Sequence, residues 1–272
     1  MSAVSIHPTA IVEKGAELGG GVQVAAYAVI GPGVRLGDDV RIGPHAVVGG
    51  ETEIGAATEV MAHACIGGPP QDLKYRGERT RLVIGARNRL REGVTVNVGT
   101  EQGGGTTRIG DDNFLMANAH VAHDCVVGDR VILANNVMLA GHVAVQDGAI
   151  LNGGVGVHHF TTIGRLSYVG GLSRITQDVP PFTIVEGHPA RVRGVNLIGL
   201  RRARLSDAVV KAIREAYRVL YRGDLPIRDA IAQLKVDWEE VADVQELVRF
   251  LEASEAGRQG RQGERPGRGL AP

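Results

Sequence analysis

Aliphatic residues recur at every sixth position through the first part of this chain. Counting in steps of six from Ile6 meets Ile, Val or Leu at every step as far as Ile66. The residue that follows is often glycine, and the residue two positions earlier is small or β-branched. A period of six turns successive side chains to different sides of an α-helix, whereas alternate residues of a strand share one side. The pattern therefore predicts short strands that stack into a solenoid around an aliphatic core.

Two segments interrupt this period and are predicted to leave the coil as loops. They lie at about 67–83 and about 99–107, and the aliphatic positions resume at Ile109. We expect the ladder of strands to stop at Pro180 and the proline after it, because proline has no N–H to donate to a neighbouring strand. Residues 1–190 are therefore assigned to the coil.

Beyond the coil the apolar spacing becomes helical, which predicts a C-terminal helical domain over residues 191–255. Ser206 is a plausible N-cap for its first long helix. The segment 256–272, rich in Gly, Arg and Gln, is predicted to be a disordered tail. Three helices are predicted, at 208–221, 224–234 and 238–251.

Composition narrows the classes of function. Thirty basic and thirty acidic residues cancel, so the chain has no overall attraction for nucleic acid. There is no long apolar run for a membrane span and no signal-peptide pattern at the N-terminus, so we expect a cytoplasmic protein. Cys65 and Cys125 have neither metal-ligand spacing nor the density of a disulfide framework, and we expect both to be reduced and buried.

Several features of the chain resemble one enzyme family and occur in the same order. Together they are similar to the UDP-N-acetylglucosamine O-acyltransferases that begin lipid A synthesis, over about residues 4–255. They are the six-residue ladder, Gln71-Asp72-Leu73-Lys74-Tyr75, Gln102-Gly103-Gly104-Gly105, the block from Asn118 to Asp124, Ala140-Gly141-His142, Gln177-Asp178-Val179-Pro180-Pro181 and the helical C-terminus.

The resemblance implies a mainly β fold, a left-handed parallel β-helix of triangular section with three hexads per coil and a C-terminal α-helical domain. Residues eighteen apart are then vertical neighbours, about 4.8 Å apart. It also implies a homotrimer with active sites between subunits. The eighteen-residue spacing gives two outward columns of interest. One contains His123, Gly141 and His159, and the other contains Asp124, His142 and Phe160.

Acyl transfer from a thioester to a hydroxyl needs a base, an orienting group and donors for the developing oxyanion. The resemblance implies that His123 is the base, Asp124 its partner and Gly141 the backbone oxyanion donor. Side chains of adjacent residues point in different directions, so the pairing of His123 with Asp124 is implied by the resemblance alone.

The resemblance also implies how the substrates bind. The acyl donor is a (3-hydroxy)acyl chain on acyl carrier protein, and the acceptor is the 3-position of a UDP-N-acetylglucosamine-type sugar. No metal or other cofactor is expected. Gly171 would leave room for a longer acyl chain, and Arg201, Arg202 and Arg204 could dock the acidic carrier protein. The expected substrate-binding residues are Gln71, Asp72, Lys74, His120, His142, His158, His159, Asn196 and Arg202.

Three alternatives remain open from the sequence. A zinc-dependent hydratase could use the same histidines as ligands, and a scaffold without catalytic activity would use none of them. An acceptor with a 3-amino group, giving an amide, is the third. It is suggested by four positions that differ from the commonest enterobacterial form of the family, Asn97, His159, Ile198 and Ala203.

Overall fold

Short parallel strands wind into a left-handed β-helix of three faces, and a helical domain follows. The computed structural model describes residues 3–257 of the 272-residue chain. The predicted fold class is therefore confirmed. The predicted disordered tail, 256–272, lies outside the described residues except for its first two positions.

The first face is the longest of the three sheets. Its strands are Ser5–Ile6, Gln23–Val24, Arg41–Ile42, Glu59–Val60, Arg89–Leu90, Phe114–Leu115, Ile132–Leu133, Ile150–Leu151, Tyr168–Val169, Thr183–Gly187 and Ala190–Val195. All neighbours in this sheet pair parallel except the last two strands, which form an antiparallel hairpin.

The second and third faces consist of parallel strands throughout. The second face contains Ile11–Val12, Val29–Ile30, Val47–Val48, Cys65–Gly68, Thr95–Asn97, His120–Val121, Met138–Leu139, Gly156–Val157 and Arg174–Ile175. The third contains Glu17–Leu18, Val34–Leu36, Glu51–Ile54, Arg81–Ile84, Thr106–Ile109, Val126–Val127, Ala144–Val145 and Thr162–Ile163.

The register between coils is eighteen residues over most of the uninterrupted chain, as between Ser5 and Gln23, and sixteen between Tyr168 and Ile184. It lengthens to thirty from Cys65 to Thr95 and to twenty-five from Thr95 to His120. The surplus residues form two excursions from the coil. The first, 69–80, is shorter than the predicted 67–83, because the flanking strands extend into that range. The second, 98–105, holds a short 3-10 helix, Glu101–Gly103.

The inward positions of the ladder form one continuous aliphatic core. Ile30, Leu133 and Val169 are fully buried, which confirms the predicted period. Ile6 remains 45% exposed, because its strand ends the first face and pairs on one side only. Cys125 is buried, but Cys65 is exposed. The prediction of a buried Cys65 was wrong because it precedes the ladder residue Ile66 and therefore points outward.

The chain turns between faces through residues in the left-handed region of backbone conformation. Asn, Asp and His tolerate this conformation better than other residues with a Cβ. We call the turns between the first and second, second and third, and third and first faces the first, second and third corners. Residues with φ near +60° include Asn118 and Asn136 at the first corner, Asp124, His142 and Phe160 at the second, and Arg130, Leu166 and Phe182 at the third.

The coil does not stop at the two prolines. Val179 still bridges Ile163, and strand Thr183–Gly187 pairs parallel with Tyr168–Val169. The predicted end at Pro180 was wrong, because the prolines lie in the turn before this strand, where no ladder hydrogen bond is lost. Strand Ala190–Val195 crosses the boundary expected between residues 190 and 191.

Four helices follow the coil among the described residues, and they pack around a second apolar core that includes Phe182 and Leu200. Ser206 caps the second helix by accepting a hydrogen bond from the N–H of Val209, as predicted. None of these helices is of the length and apolarity that a membrane crossing requires. The helices are α1 (Leu197–Arg202), α2 (Asp207–Arg222), α3 (Ile227–Asp237) and α4 (Ala242–Glu255).

Arg165 attaches the helical domain to the coil. Its guanidinium lies 2.6 Å from Asp243 and 2.8 Å from Glu246, both on α4. It also lies 4.8 Å from the centre of the Phe182 ring. The hydrogen bonds to the two carboxylates, together with their charge, raise the pKa of Arg165 against the opposing effect of burial. The helical domain is therefore held in a fixed position against the third corner.

Adjacent valines on one strand test the inward ladder. Val127 is 2% exposed and Val126 is 50% exposed, so the same substitution probes both sides of one strand. We expect Val127→Ala to lower the free energy of unfolding by about 2 kcal/mol and Val126→Ala by less than about 0.5 kcal/mol. Urea unfolding at one fixed protein concentration measures both, and equal losses would contradict the assignment of an inward ladder.

Candidate active site

The backbone at Asp124 brings two neighbouring side chains together. Asp124 has φ +60°, and this corner conformation turns its carboxylate back toward the preceding residue. Nδ1 of His123 lies 2.8 Å from Oδ2 of Asp124. The pair predicted from the family resemblance is therefore present, and the left-handed corner explains why adjacent residues can form it.

The carboxylate of Asp124 is buried and accepts several hydrogen bonds. The backbone N–H of Thr100 donates to Oδ1 at 2.8 Å, and the Thr100 hydroxyl donates to Oδ2 at 2.6 Å. The Asp124 N–H donates to the Thr107 hydroxyl at 2.8 Å. Burial is the largest single effect and raises the pKa of Asp124, but the hydrogen bonds from His123 and Thr100 outweigh it and lower the pKa overall. Asp124 is therefore ionised at neutral pH.

Gly141 lies directly against the ring of His123 on the next coil. A Cβ at Gly141 would lie 2.6 Å from Cε1 and 2.7 Å from Nε2 of His123. A side chain there would displace the imidazole, so the position requires glycine. Within residues 3–257 the Gly141 N–H donates to no acceptor, which leaves it available to a bound group.

His142 continues the site one coil above Asp124. Its ring stacks on Phe160, with centroids 4.5 Å apart, and meets the His123 ring edge-on at 5.2 Å. Its Nε2 lies 3.8 Å from Oδ2 of Asp124. Burial lowers the pKa of His142, while the charges of Asp124 and Asp72 oppose the change. The influence of Asp72 indicates that the first excursion lies near this side of the coil.

His120 lies on the second face, just before the corner. Its Nδ1 is 2.7 Å from the Thr95 hydroxyl on the neighbouring coil. Burial lowers the pKa of His120, and the charge of His123 lowers it further. On the upper side of the site, the His158 and His159 rings lie 3.7 Å apart. His159 also lies 5.4 Å from Phe160, so these rings extend the surface around His123 and His142.

The first excursion carries three of the predicted substrate-binding residues. Gln71 and Lys74 are exposed and Asp72 is partly buried. The Lys74 N–H donates to Oδ1 of Asp72 at 2.9 Å, which closes a tight turn in the loop. Gly171 is exposed at the first corner, where a Cβ would lie 3.3 Å from the carbonyl oxygen of Gly153.

Asn196 and Arg202 lie elsewhere on the same chain. Asn196 caps α1 by accepting from the Gly199 N–H at 3.0 Å, and its Nδ2 donates to the Leu166 carbonyl at 2.9 Å. This anchor is at the third corner, whereas His123 is beside the second. Arg202 is exposed at the end of α1. One chain therefore does not bring these two residues to the His123 side of the coil.

Sequence reasoning missed Thr100, Gly103 and Thr107, which contact Asp124 directly. The eighteen-residue spacing could not indicate Thr100 or Gly103, because both belong to an insertion and have no vertical neighbour eighteen residues away. A small hydroxyl residue just before the Gln102-Gly103-Gly104-Gly105 loop was the one available signal. It indicates a capped turn, without indicating what the turn packs against.

The zinc alternative can be tested against the geometry of the same residues. Among residues 3–257, the one group with three ligand atoms within 4.8 Å of one another is His123, Asp124 and His142. Oδ2 of Asp124 already accepts hydrogen bonds from His123 and Thr100. Two ligands of a tetrahedral Zn²⁺ ion, each at about 2.0 Å, would be about 3.3 Å apart. The 2.8 Å between Nδ1 and Oδ2 is shorter and is a hydrogen-bond distance. The donor set fits a hydrogen-bonded pair better than a metal.

Comparison with known proteins identifies the family of this chain. The family described as "Udp N-acetylglucosamine O-acyltransferase; Domain 2" matches residues 178–260, and "Bacterial transferase hexapeptide (six repeats)" matches residues 106–141. The acyl-[acyl-carrier-protein]--UDP-N-acetylglucosamine O-acyltransferase of Burkholderia lata is 50% identical over 254 residues, which cover 92% of this chain and 97% of that protein. The chain belongs to the UDP-N-acetylglucosamine O-acyltransferase family. It is an acyltransferase.

Other relatives agree with this family assignment. The protein of the same name from Synechocystis is 54% identical over 165 residues, a match that spans 61% of this chain and 59% of that protein's length. The crystal structure of a UDP-N-acetylglucosamine acyltransferase from Bacteroides fragilis is 35% identical, with a TM-score of 0.87 over 92% of this chain and 98% of that one. The Campylobacter jejuni acyltransferase gives 36% identity and a TM-score of 0.87, over 91% of this chain and 96% of that one.

The half-buried histidines predict how stability depends on pH. The folded pKa of His142 is lowered, so below about pH 6.5 the unfolded chain binds protons that the folded chain does not. The free energy of unfolding should therefore fall as the pH drops from 7.5 to 5.5. His142→Gln should reduce that fall, and His45→Gln, at an exposed corner, should not. Urea unfolding at both pH values measures this, and an unchanged fall in His142→Gln would contradict it.

Proposed function

We propose that this protein transfers an acyl chain from acyl carrier protein to the 3-hydroxyl of UDP-N-acetylglucosamine, the first step of lipid A biosynthesis. Relatives of this name match more than nine-tenths of the chain at 50% identity. The observation that carries the mechanism is the His123–Asp124 pair facing Gly141. This arrangement supports the proposal, because acyl transfer needs a base, an orienting group and a backbone donor close together.

In this mechanism Nε2 of His123 removes the proton of the sugar hydroxyl as its oxygen attacks the thioester carbonyl. The Asp124 carboxylate holds the proton on Nδ1 and stabilises the imidazolium that forms. The Gly141 N–H donates to the carbonyl oxygen as negative charge develops there. The carbon–sulfur bond then breaks, and His123 returns the proton to the departing thiolate of the carrier.

The remaining substrate contacts are proposed to come from two copies of the chain. Asp72 and Lys74 lie on the first excursion and suit a sugar hydroxyl and a diphosphate. His120, His142, His158 and His159 line the saccharide side. Asn196 and Arg202 are at another corner in the same chain, so we propose that they reach the site from an adjacent subunit of a homotrimer. Gly171 is proposed to leave room for the far end of the acyl chain.

The outward positions of the second face support association. Ile11 is 57% exposed and Val47 is 43% exposed, and Met138 further along the same face is 52% exposed. On the same coils the first face presents ion pairs instead, such as Arg41 with Glu59. An apolar face beside charged ones is typical of a protein–protein interface. A cytoplasmic location is proposed with it, since Cys65 and Cys125 are both free.

Nothing favours the amide-forming alternative. The positions that suggested it, Asn97, His159, Ile198 and Ala203, include two exposed side chains at α1. Asn97 and His159 lie nearer the site. Relatives at about half identity are named O-acyltransferases, which favours ester formation.

Replacing the proposed base tests the mechanism. We expect His123→Ala to lower kcat by about 10³-fold, because general base catalysis typically contributes 10²–10⁴-fold. Mass spectrometry would measure acyl-UDP-N-acetylglucosamine formed from acyl carrier protein, and gel filtration would check that the oligomer persists. His45→Ala, which removes an exposed corner histidine, is the matched control. A His123→Ala enzyme of near wild-type rate would exclude His123 as the base.

Reversing a charge at the basic end of α1 should weaken the binding of acyl carrier protein. Arg201, Arg202 and Arg204 are all exposed there, and we propose that they attract the acidic carrier protein. Arg201→Glu should raise the KM for acyl carrier protein about 3- to 10-fold at low salt, and less at high salt. Arg249→Glu, on the exposed side of α4, should leave that KM unchanged. Equal effects of the two substitutions would contradict a local docking site.

A further inference from the structure

The second excursion packs on the carboxylate of Asp124. Uninterrupted coils close in eighteen residues, so the extra residues at 98–105 are not needed to complete a turn of the solenoid. Thr100 is nevertheless buried, while Glu101 and Gln102 beside it are exposed. Val98 and Gly99 are also buried at the start of the excursion, and Thr100 is the residue that contacts the catalytic pair.

The hydrogen bonds fix the direction of the Thr100 hydroxyl. Its oxygen accepts from the Gly103 N–H at 3.1 Å, and it lies 2.6 Å from Oδ2 of Asp124. An ionised carboxylate can only accept, so the hydroxyl proton points to Oδ2. The same oxygen accepts from Nδ1–H of His123 at 2.8 Å. An ordered chain of donors results, from Gly103 through Thr100 to Asp124, with His123 on the other side.

Gly103 closes the turn over the same carboxylate. A Cβ at Gly103 would lie 2.1 to 2.4 Å from the three atoms of the Asp124 carboxyl group, far inside any real contact distance. The Thr100 N–H holds the other carboxylate oxygen at 2.8 Å. The backbone N–H and the hydroxyl of Thr100 thus hold the two carboxylate oxygens, and Gly103 packs against the carboxyl group. These contacts restrict rotation of the carboxylate away from His123.

We propose that Thr100 is a positioning residue for this acyl transfer. Its hydroxyl holds the Asp124 carboxylate in the orientation that keeps the proton on Nδ1 of His123, so that Nε2 is the basic nitrogen beside Gly141. Thr100 touches neither substrate; it acts through Asp124. The inference rests on the proposed role of His123 as the base.

Removing the hydroxyl while keeping the backbone donor tests this role. Thr100→Val should lower kcat about 10- to 100-fold, the loss expected for one hydrogen bond to a charged group. The KM values for UDP-N-acetylglucosamine and for acyl carrier protein should stay within about twofold, since binding is not altered. Thr100→Ser, which restores the hydroxyl, should recover most of the rate. If Thr100→Val does not fold, Thr100→Ala carries the same expectations.

Thr80→Val is the matched control. Thr80 is also buried, in the first excursion, and among the described residues its hydroxyl has no hydrogen-bond partner. The same substitution there should leave kcat unchanged. With an active wild type, full activity of Thr100→Val would overturn the inference alone, as would a raised KM of Thr100→Val with unchanged kcat. A loss of rate in Thr80→Val or in Thr100→Ser equal to that in Thr100→Val would overturn it too. A wild type without transfer would overturn the proposed function as well.

Discussion

The parallel register of the coil is the constraint on which everything else depends. Over most of the coil a strand pairs with the strand eighteen residues later, as Ile132 pairs with Ile150, so residues on the coil have fixed vertical neighbours. Inward positions must be aliphatic because they fill a narrow continuous core. Outward positions and corners carry no such requirement. The chain can therefore place His123 on one coil and Gly141 and His142 on the next without disturbing the packing beneath them.

The period of six was enough to predict a solenoid of short strands, since burial of residues such as Leu133 leaves a pattern in the sequence itself. The left-handed, three-sided form was implied by the family resemblance. Features outside that period were not predictable. The six residues of α1 are too few to show helical spacing, and Pro180 is compatible with the coil only because it lies in a turn. The His123–Asp124 contact depends on a left-handed backbone at Asp124. The hydrogen bonds from Thr100 to Asp124 depend on an insertion. Neither changes any periodicity.

The site combines side chains of the coil with hydrogen-bond donors of the second excursion. The coil supplies the histidines, which are held by stacked strands and whose burial keeps His120 and His142 neutral near pH 7. The second excursion supplies the donors that keep Asp124 ionised despite burial. A buried carboxylate without those donors would favour its neutral form. Asn196 is anchored at the third corner, away from His123 in the same chain, and in the proposed trimer an adjacent subunit would bring it and Arg202 to the site.

The proposed function requires that this chain forms an ester on a UDP-sugar. The most direct test incubates the purified protein with acyl carrier protein carrying a 3-hydroxyacyl chain and with UDP-N-acetylglucosamine, then measures the product by mass spectrometry before and after mild alkali. We expect a product that is heavier than the UDP-sugar by one acyl group and that alkali cleaves back to the starting sugar. No acylated product, or a product stable to alkali, would contradict it.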